Sequence, residues 1–311
     1  MKYLILGGAG FLGRHLVEHL VRKGGDIRVF DKAASCPEFE GISSKRVEYI
    51  SGIFSSVDTI EQIVKGVDVI FHLISTTLPK TSNDDPVNDV MSNIIPTLQL
   101  LESARKEGVR KIIFFSSGGT VYGVPKMIPT PEDHSMLPLC SYGIHKVAIE
   151  KYLHLYFSLY GLDYAVMRVS NPYGTYQSTS RGQGAVPVFL HKLMRNEPID
   201  IWGDGNVVRD YIHVDDVIDA ALKLVEYQGA QKVFNIGSGK GLSLNELIAE
   251  MANLVGREAR VNYLPARALD IPASVLDISR AFQEFGWRPR VGLRAGLKKL
   301  LAKTQGLNSR I

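Results

Sequence analysis

The chain has 311 residues, of which 45% are hydrophobic and 22% charged, with a formal net charge of +4. That length predicts one large α/β domain with a smaller appended lobe, and the composition excludes a disordered or collagen-like chain. The mild positive charge contains no dense Lys/Arg stripe of the kind nucleic-acid binding needs, but it suits a small anionic substrate.

Residues 1–6 run directly into glycines and are too short for the apolar region of a signal peptide, and no later apolar stretch reaches membrane-spanning length. The expected location is therefore the cytoplasm. Short apolar runs bounded by turn residues predict buried parallel strands over 3–6, 27–30, 47–50, 67–71, 111–115 and 163–169. Between them, apolar spacings of three and four predict helices over 11–22, 58–65, 96–106 and 145–160. This alternation predicts an α/β chain, a Rossmann doubly wound parallel sheet with a smaller C-terminal α/β substrate lobe. The expected domains are 1–170 for the cofactor and, mainly, 171–311 for the substrate, with segments near 211–236 returning to the first.

The first strand ends in Gly7-Gly8-Ala9-Gly10-Phe11-Leu12-Gly13, which places glycines at 7, 10 and 13 just before a helix. Such a loop lets the backbone approach a pyrophosphate, and the helix N-terminus supplies free N–H groups and a positive dipole. Asp31 closes the second strand 18 residues beyond Gly13, where a carboxylate accepts hydrogen bonds from an adenosine ribose and repels a 2′-phosphate. NAD is expected over NADP. Lys32 is the dissenting neighbour, also readable as a solvated surface lysine.

Tyr142-Gly143-Ile144-His145-Lys146 puts Tyr142 and Lys146 on one helix face. A phenol ordinarily titrates near pH 10, so a general base at this position needs the ammonium and a positive nicotinamide to lower it.

Taken together, these motifs resemble the extended short-chain dehydrogenase/reductases, in particular the NAD-dependent nucleotide-sugar epimerases such as UDP-glucose 4-epimerase. The likeness also rests on Phe71-His72-Leu73, Asn93, Ser116-Ser117-Gly118-Gly119-Thr120-Val121-Tyr122-Gly123, the stretches 168–174 and 209–216, and Arg267 with Asp270. It implies that Tyr142 takes a hydroxyl proton while the sugar carbon gives hydride to bound NAD, and that hydride then returns to the other face of a keto-sugar. For the cofactor it implies Gly7, Gly10, Phe11, Leu12, Gly13, Asp31, Lys32, Ile53, Phe54, Leu73, Ile74, Ser75, Ser116, Tyr142, Lys146 and Ser170, with Asn93 supporting the active-site helix. For the substrate it implies Ser117, Thr120, Asn171, Trp202, Asp270 and Ser274, with Arg209 and Arg267 clamping a diphosphate through their forked donors. A UDP-linked sugar and a homodimer are the implied partners, without nucleic acid or membrane.

The sequence departs from the family pattern in several places. Gly118 stands where the family carries a Ser or Thr hydroxyl. Side-chain alternation along an extended strand nominates Thr120 as its replacement, with Ser117 as the alternative. Ile53-Phe54 replace an Asp that meets adenine, leaving backbone groups or stacking. Gly119-Thr120 replace the Asp-Glu pair of related dehydratases, which disfavours elimination. Ser274 falls where the family carries a bulky residue, leaving room for an N-acetyl group. Asp215-Asp216 read as caps of the following helix. Cys36 and Cys140 are too few for a disulfide framework, the histidines lack metal-ligand spacing, and no metal is expected. Two rival readings stay open: a nucleotide-sugar decarboxylase or reductase, and a non-catalytic NAD-binding protein.

Overall fold

A computed structural model describes residues 1–39, 41–43, 46–177, 184–266 and 270–308, with side chains through residue 304. In chain order the first elements are β1 (Lys2–Leu6), α1 (Phe11–Arg22), β2 (Asp26–Asp31), β3 (Val47–Ser51), α2 (Val57–Val64) and β4 (Val69–His72). There follow α3 (Pro86–Asp89), a π-helical turn (Val90–Ile94), α4 (Ile95–Lys106), β5 (Lys111–Ser117), α5 (Ser141–Tyr160) and β6 (Asp163–Val169). The later elements are β7 (Asn171–Tyr173), α6 (Ala185–Met194), β8 (Ile199–Trp202), β9 (Val208–His213), α7 (Val214–Glu226) and β10 (Val233–Ile236). The chain finishes with β11 (Gly241–Ser243), α8 (Leu244–Val255), β12 (Val261–Leu264), β13 (Ala273–Ser274), α9 (Ser279–Phe285) and α10 (Leu293–Asn308).

The chain divides into two compact units. The first comprises Met1–Tyr122, Met136–Arg168 and Ile218–Phe234. It is built on a seven-stranded sheet of order β10-β6-β5-β4-β1-β2-β3, in which β1 pairs in parallel with both β2 and β4. This is a doubly wound α/β sheet. Its order reverses between β1 and β4, the place where the carboxyl ends of the strands open a ligand crevice. The strands are buried on both faces because helices cover both, so they read as continuous apolar runs. One core gathers Leu4, Leu6, Phe30, Ile70, Ile112 and Phe114 from the sheet with Ile60, Leu100 and Ile149 from the helices.

The second unit comprises Gly123–Ser135, Val169–Val217 and Asn235–Ile311. Here β9 pairs with β11, β13 and β7, and β8 pairs with β12. Its core packs Tyr173, Phe189, Leu190 and Ile201 against Leu247, Met251 and Leu297. The segment 123–135 joins this unit because the Thr130 amide donates to the Val275 carbonyl and Glu132 accepts the Asn235 amide. No helix among the described residues is long and apolar enough to cross a membrane.

Candidate active site

The glycine loop joins β1 to α1. Gly7 has a φ of +87°, left-handed backbone that a side chain disfavours, and its amide donates to the Phe30 carbonyl at 2.8 Å. A Cβ on Gly13 would stand 2.6 Å from the Gly8 Cα and closer still to the Gly7 carbonyl, so only glycine lets helix and loop pack here. Gly10 is the N-cap of α1 and supplies no side-chain cap, which leaves the first N–H groups of the helix to an incoming anion. Asp31 is fastened to the same loop, accepting the Ala9 amide at 3.0 Å and the Ala33 amide at 3.2 Å. A cradle in which glycines replace Cβ atoms, next to a carboxylate at the end of β2, fits an adenine dinucleotide.

The other predicted cofactor residues divide. Phe11 and Leu12 are half-buried at the start of α1, and Lys32 is exposed. Ile53 is 76% exposed, but Phe54 turns into the core, its ring centroid 6.4 Å from Phe30 and 5.6 Å from His72. The Phe54 side chain is thus taken up by packing, and stacking on a ligand falls to Ile53 and the backbone. Leu73, Ile74 and Ser75 follow β4, with the Leu73 amide donating to the Leu6 carbonyl and the Ser75 hydroxyl to the Thr77 carbonyl. Asn93 holds this loop directly: it accepts the Thr76 amide at 2.9 Å and donates to the Thr76 hydroxyl at 2.8 Å. Its support of α5 is indirect, through Asp89.

Strand β5 stops at Ser117, and residues 118–120 form a turn in which the amides of Thr120 and Val121 both reach the Ser117 carbonyl. Strand alternation therefore does not place Thr120, which corrects the reason given for it from sequence. The Thr120 hydroxyl is nevertheless buried with no hydrogen-bond partner within the protein. The Thr120 carbonyl would lie 2.9 Å from a Cβ on Gly143, so this turn packs on α5 beside Tyr142. Ser117 is half-buried, while the Ser116 hydroxyl is turned inward, donating to Glu150 at 2.5 Å.

Tyr142 and Lys146 share one face of α5, with the Lys146 Nζ 5.4 Å from the Tyr142 ring centroid and 4.7 Å from that of Phe114. The Nζ donates to the Phe115 carbonyl at 3.0 Å. Burial pulls Lys146 down to about 7, against the opposing charges of Glu150 and Asp89. Burial also pushes the Tyr142 phenol up, reinforced by Cys140 and Asp89. The lowered phenol expected from sequence requires the positive nicotinamide as well as the ammonium; in the protein alone burial raises it.

In the second unit, Asp210 is fully buried and organises Ser170, predicted for the cofactor, and Asn171, predicted for the substrate. Its carboxylate accepts the Ser170 hydroxyl at 3.3 Å, the amides of Ser238, Gly239 and Leu276, and the Ser238 hydroxyl. Its carbonyl accepts the Asn171 amide group at 3.0 Å. Burial raises the Asp210 carboxyl above the usual range despite these donors. Arg209 is half-buried and donates to the Val208 and Ile271 carbonyls; burial lowers it, against the charges of Tyr211 and Asp270. Ser274 pairs in register with Arg209 across β13 and β9. Asp270 is exposed, and Trp202, at the end of β8, is 41% exposed. Arg267 lies outside the described residues.

The reading of Asp215-Asp216 as helix caps is also corrected. Asp216 accepts the amides of Arg290 and Val291, and Asp215 pairs with Lys299 at 2.8 Å, so both tie α7 to the C-terminal segment. Sequence reasoning passed over three buried organisers: Asp89, Asp210, and the Glu150–Arg168 pair at 2.7 Å. A carboxylate among apolar neighbours marks Glu150, whereas Asp89 lies in a polar stretch that gives no such signal. Among the described residues no group of three or more His, Cys, Asp or Glu is placed to hold a metal.

Residues 3–237 match the model of the NAD dependent epimerase/dehydratase family. The chain belongs to this family. It is 36% identical over 305 residues to a UDP-glucose 4-epimerase of Mycolicibacterium smegmatis, covering 96% of this chain and 97% of that protein. It is 34% identical over 304 residues to a dTDP-4-dehydro-6-deoxyglucose reductase of Escherichia coli, covering 96% of each. Among solved structures it is similar to the Thermotoga maritima UDP-glucose 4-epimerase with UDP-glucose, at a TM-score of 0.93 and 36% identity, over 99% of this chain and all of that one. The extended short-chain dehydrogenase/reductase reading and the Rossmann fold both stand.

Proposed function

We propose that the chain is an NAD-dependent nucleotide-sugar 4-epimerase acting on a UDP-sugar through a transient keto-sugar. The observation that carries this reading is the grouping, within one unit, of the glycine loop and Asp31, the Tyr142–Lys146 pair and the unpartnered Thr120 hydroxyl. When bound, NAD supplies a hydride acceptor with a positively charged nicotinamide. Gly7, Gly10 and Gly13 hold its pyrophosphate and Asp31 its ribose. Tyr142 accepts the proton of the sugar hydroxyl and returns it at the end of the cycle. Because burial raises the phenol, that step relies on positive charge near the ring, from Lys146 and the cofactor. Thr120 donates to the reacting oxygen in place of the hydroxyl missing at Gly118.

Asn171, Trp202, Arg209, Arg267 and Asp270 hold the nucleotide sugar, the arginines meeting the diphosphate, and Ser170 lies beside the nicotinamide. Ser274, small and in register with Arg209, leaves space for an N-acetyl group, which makes UDP-GlcNAc and UDP-GalNAc candidates beside UDP-glucose and UDP-galactose. We also propose a cytoplasmic location and a homodimer formed through α4 and α5, which expose Ile95, Ile144, Leu155 and Leu159.

The test is incubation of the purified protein with UDP-glucose, UDP-GlcNAc or UDP-glucuronate and no added NAD, with the sugars read by proton NMR. A C4 epimer is the expected product. The likeness to the Escherichia coli reductase keeps one second reading open, net reduction of a keto-sugar, for which consumption of added NADH without epimerisation is the sign.

A further inference from the structure

Helix α5 carries a histidine, His145, one position before Lys146 and against the ring of Tyr142. Its ring meets that of Tyr142 nearly edge to face, with centroids 5.0 Å apart and an interplanar angle of 67°. The His145 Nδ1 lies 2.9 and 3.0 Å from the two carboxylate oxygens of Asp89. Both side chains are buried. Asp89, at the end of α3, also receives the Ser141 hydroxyl at 2.7 Å, the Asn93 amide group at 3.1 Å and the Thr77 hydroxyl. One carboxylate thereby joins the loop after β4, the π-helical turn and the first two turns of the helix that bears Tyr142.

The proton placement follows from these contacts. An ionised carboxylate only accepts, so Nδ1 of His145 is the donor. Its Nε2 is buried with no protein hydrogen-bond partner, a site where a second proton would stay unpaired. Asp89 stays ionised: burial opposes its charge, but the donors Thr77, Ser141 and His145 outweigh that and hold it below the usual carboxylate range. For His145, burial and the Lys146 charge prevail over Asp89, pulling the imidazole down to about 4.

We propose that Asp89 and His145 form a positioning pair: a neutral imidazole, locked by the carboxylate in its Nδ1–H form, is the wall that fixes the Tyr142 ring for proton transfer. Neither residue touches the reacting atoms in this role. The proposal deepens the epimerase reading and rests on it for the kinetic arm of its test.

Four variants and one spectrum decide it. His145→Asn keeps a donor near the Nδ1 position, His145→Leu removes it at similar bulk, and Asp89→Asn removes the charge. The expected result is a kcat for His145→Leu and Asp89→Asn about tenfold or more below wild type, with the KM for the UDP-sugar and the bound NAD content unchanged. His145→Asn is expected to recover kcat to within about threefold of wild type, and Asp89→Asn/His145→Leu to be no slower than the worse single variant. Wild-type kcat in a folded His145→Leu overturns the proposal. So does an equal loss in His145→Asn and His145→Leu accompanied by raised KM and lost NAD, the mark of a merely structural residue. Nitrogen-15 NMR of histidine-labelled protein at pH 7, assigned by difference from His145→Asn, is independent of turnover. A neutral Nδ1–H tautomer supports the pair, and an imidazolium or Nε2–H tautomer overturns it even where no sugar is turned over.

Discussion

The carbonyl of Thr120 packs against Gly143, the residue after Tyr142, so closely that a Cβ there would stand 2.9 Å from it and 2.7 Å from the Pro138 Cβ. Gly143→Ala is therefore expected to push the 118–120 turn away from α5. Overpacking of this kind costs about 1–3 kcal/mol. Thermal melting should show a Tm lowered by several degrees, with kcat reduced in the fraction that stays folded; an unchanged Tm means the turn yields freely.

The orphaned Thr120 hydroxyl yields a sharper kinetic contrast. Thr120→Val is expected to lower kcat by roughly tenfold or more, as the loss of a donor to a reacting oxygen does, while Thr120→Ser stays close to wild type. Near-full turnover by Thr120→Val would transfer the role to Ser117.

Gly13→Ala tests the cofactor cradle without touching the chemistry. A Cβ at this position has nowhere to go between the Gly7 carbonyl and the Gly8 Cα, so the loop must open and lose its grip on the pyrophosphate. The purified variant should carry far less NAD than wild type, measured as nucleotide released on heat denaturation, and added NAD should restore part of the turnover. Retention of wild-type NAD content would show that the cradle lies elsewhere.

Lys146 is held at about 7 by burial, below its ordinary 10.5, so between those values the folded chain binds fewer protons than the unfolded one. Stability then rises with pH across that window, because the unfolded state loses the proton that the folded state has already released. Lys146→Met removes this slope together with activity. Urea melts at pH 7, 8.5 and 10 should give a flatter stability profile for the variant than for wild type; parallel profiles would mean that Lys146 titrates normally in the fold.

Ser274 stands beside Arg209 in register and carries the specificity prediction. Ser274→Tyr is expected to spare UDP-glucose turnover and to cut UDP-GlcNAc turnover by roughly tenfold or more, since a filled pocket rejects the added acetamide. Equal effects on the two sugars would remove Ser274 from the sugar pocket.

Much of the molecule follows from local rules. Strands such as residues 3–6 and 111–115 are apolar because both sheet faces are covered, and Tyr142 and Lys146 share a face because a helix repeats every 3.6 residues. Gly7, Gly13 and Asp31 were legible for the same reason: turn, close approach and strand end are neighbours along the chain. What depends on partners distant in sequence is set by the packed fold. Burial, a property of the whole fold, raises the Tyr142 phenol in the protein alone, which the spacing of Tyr142 and Lys146 does not reveal. Phe54 went to the core, and Asp216 reached Arg290 and Val291, because packing and long-range donors overrode the local assignments. Asp89 gained its place from Thr77, Asn93, Ser141 and His145, which only folding brings around a single carboxylate.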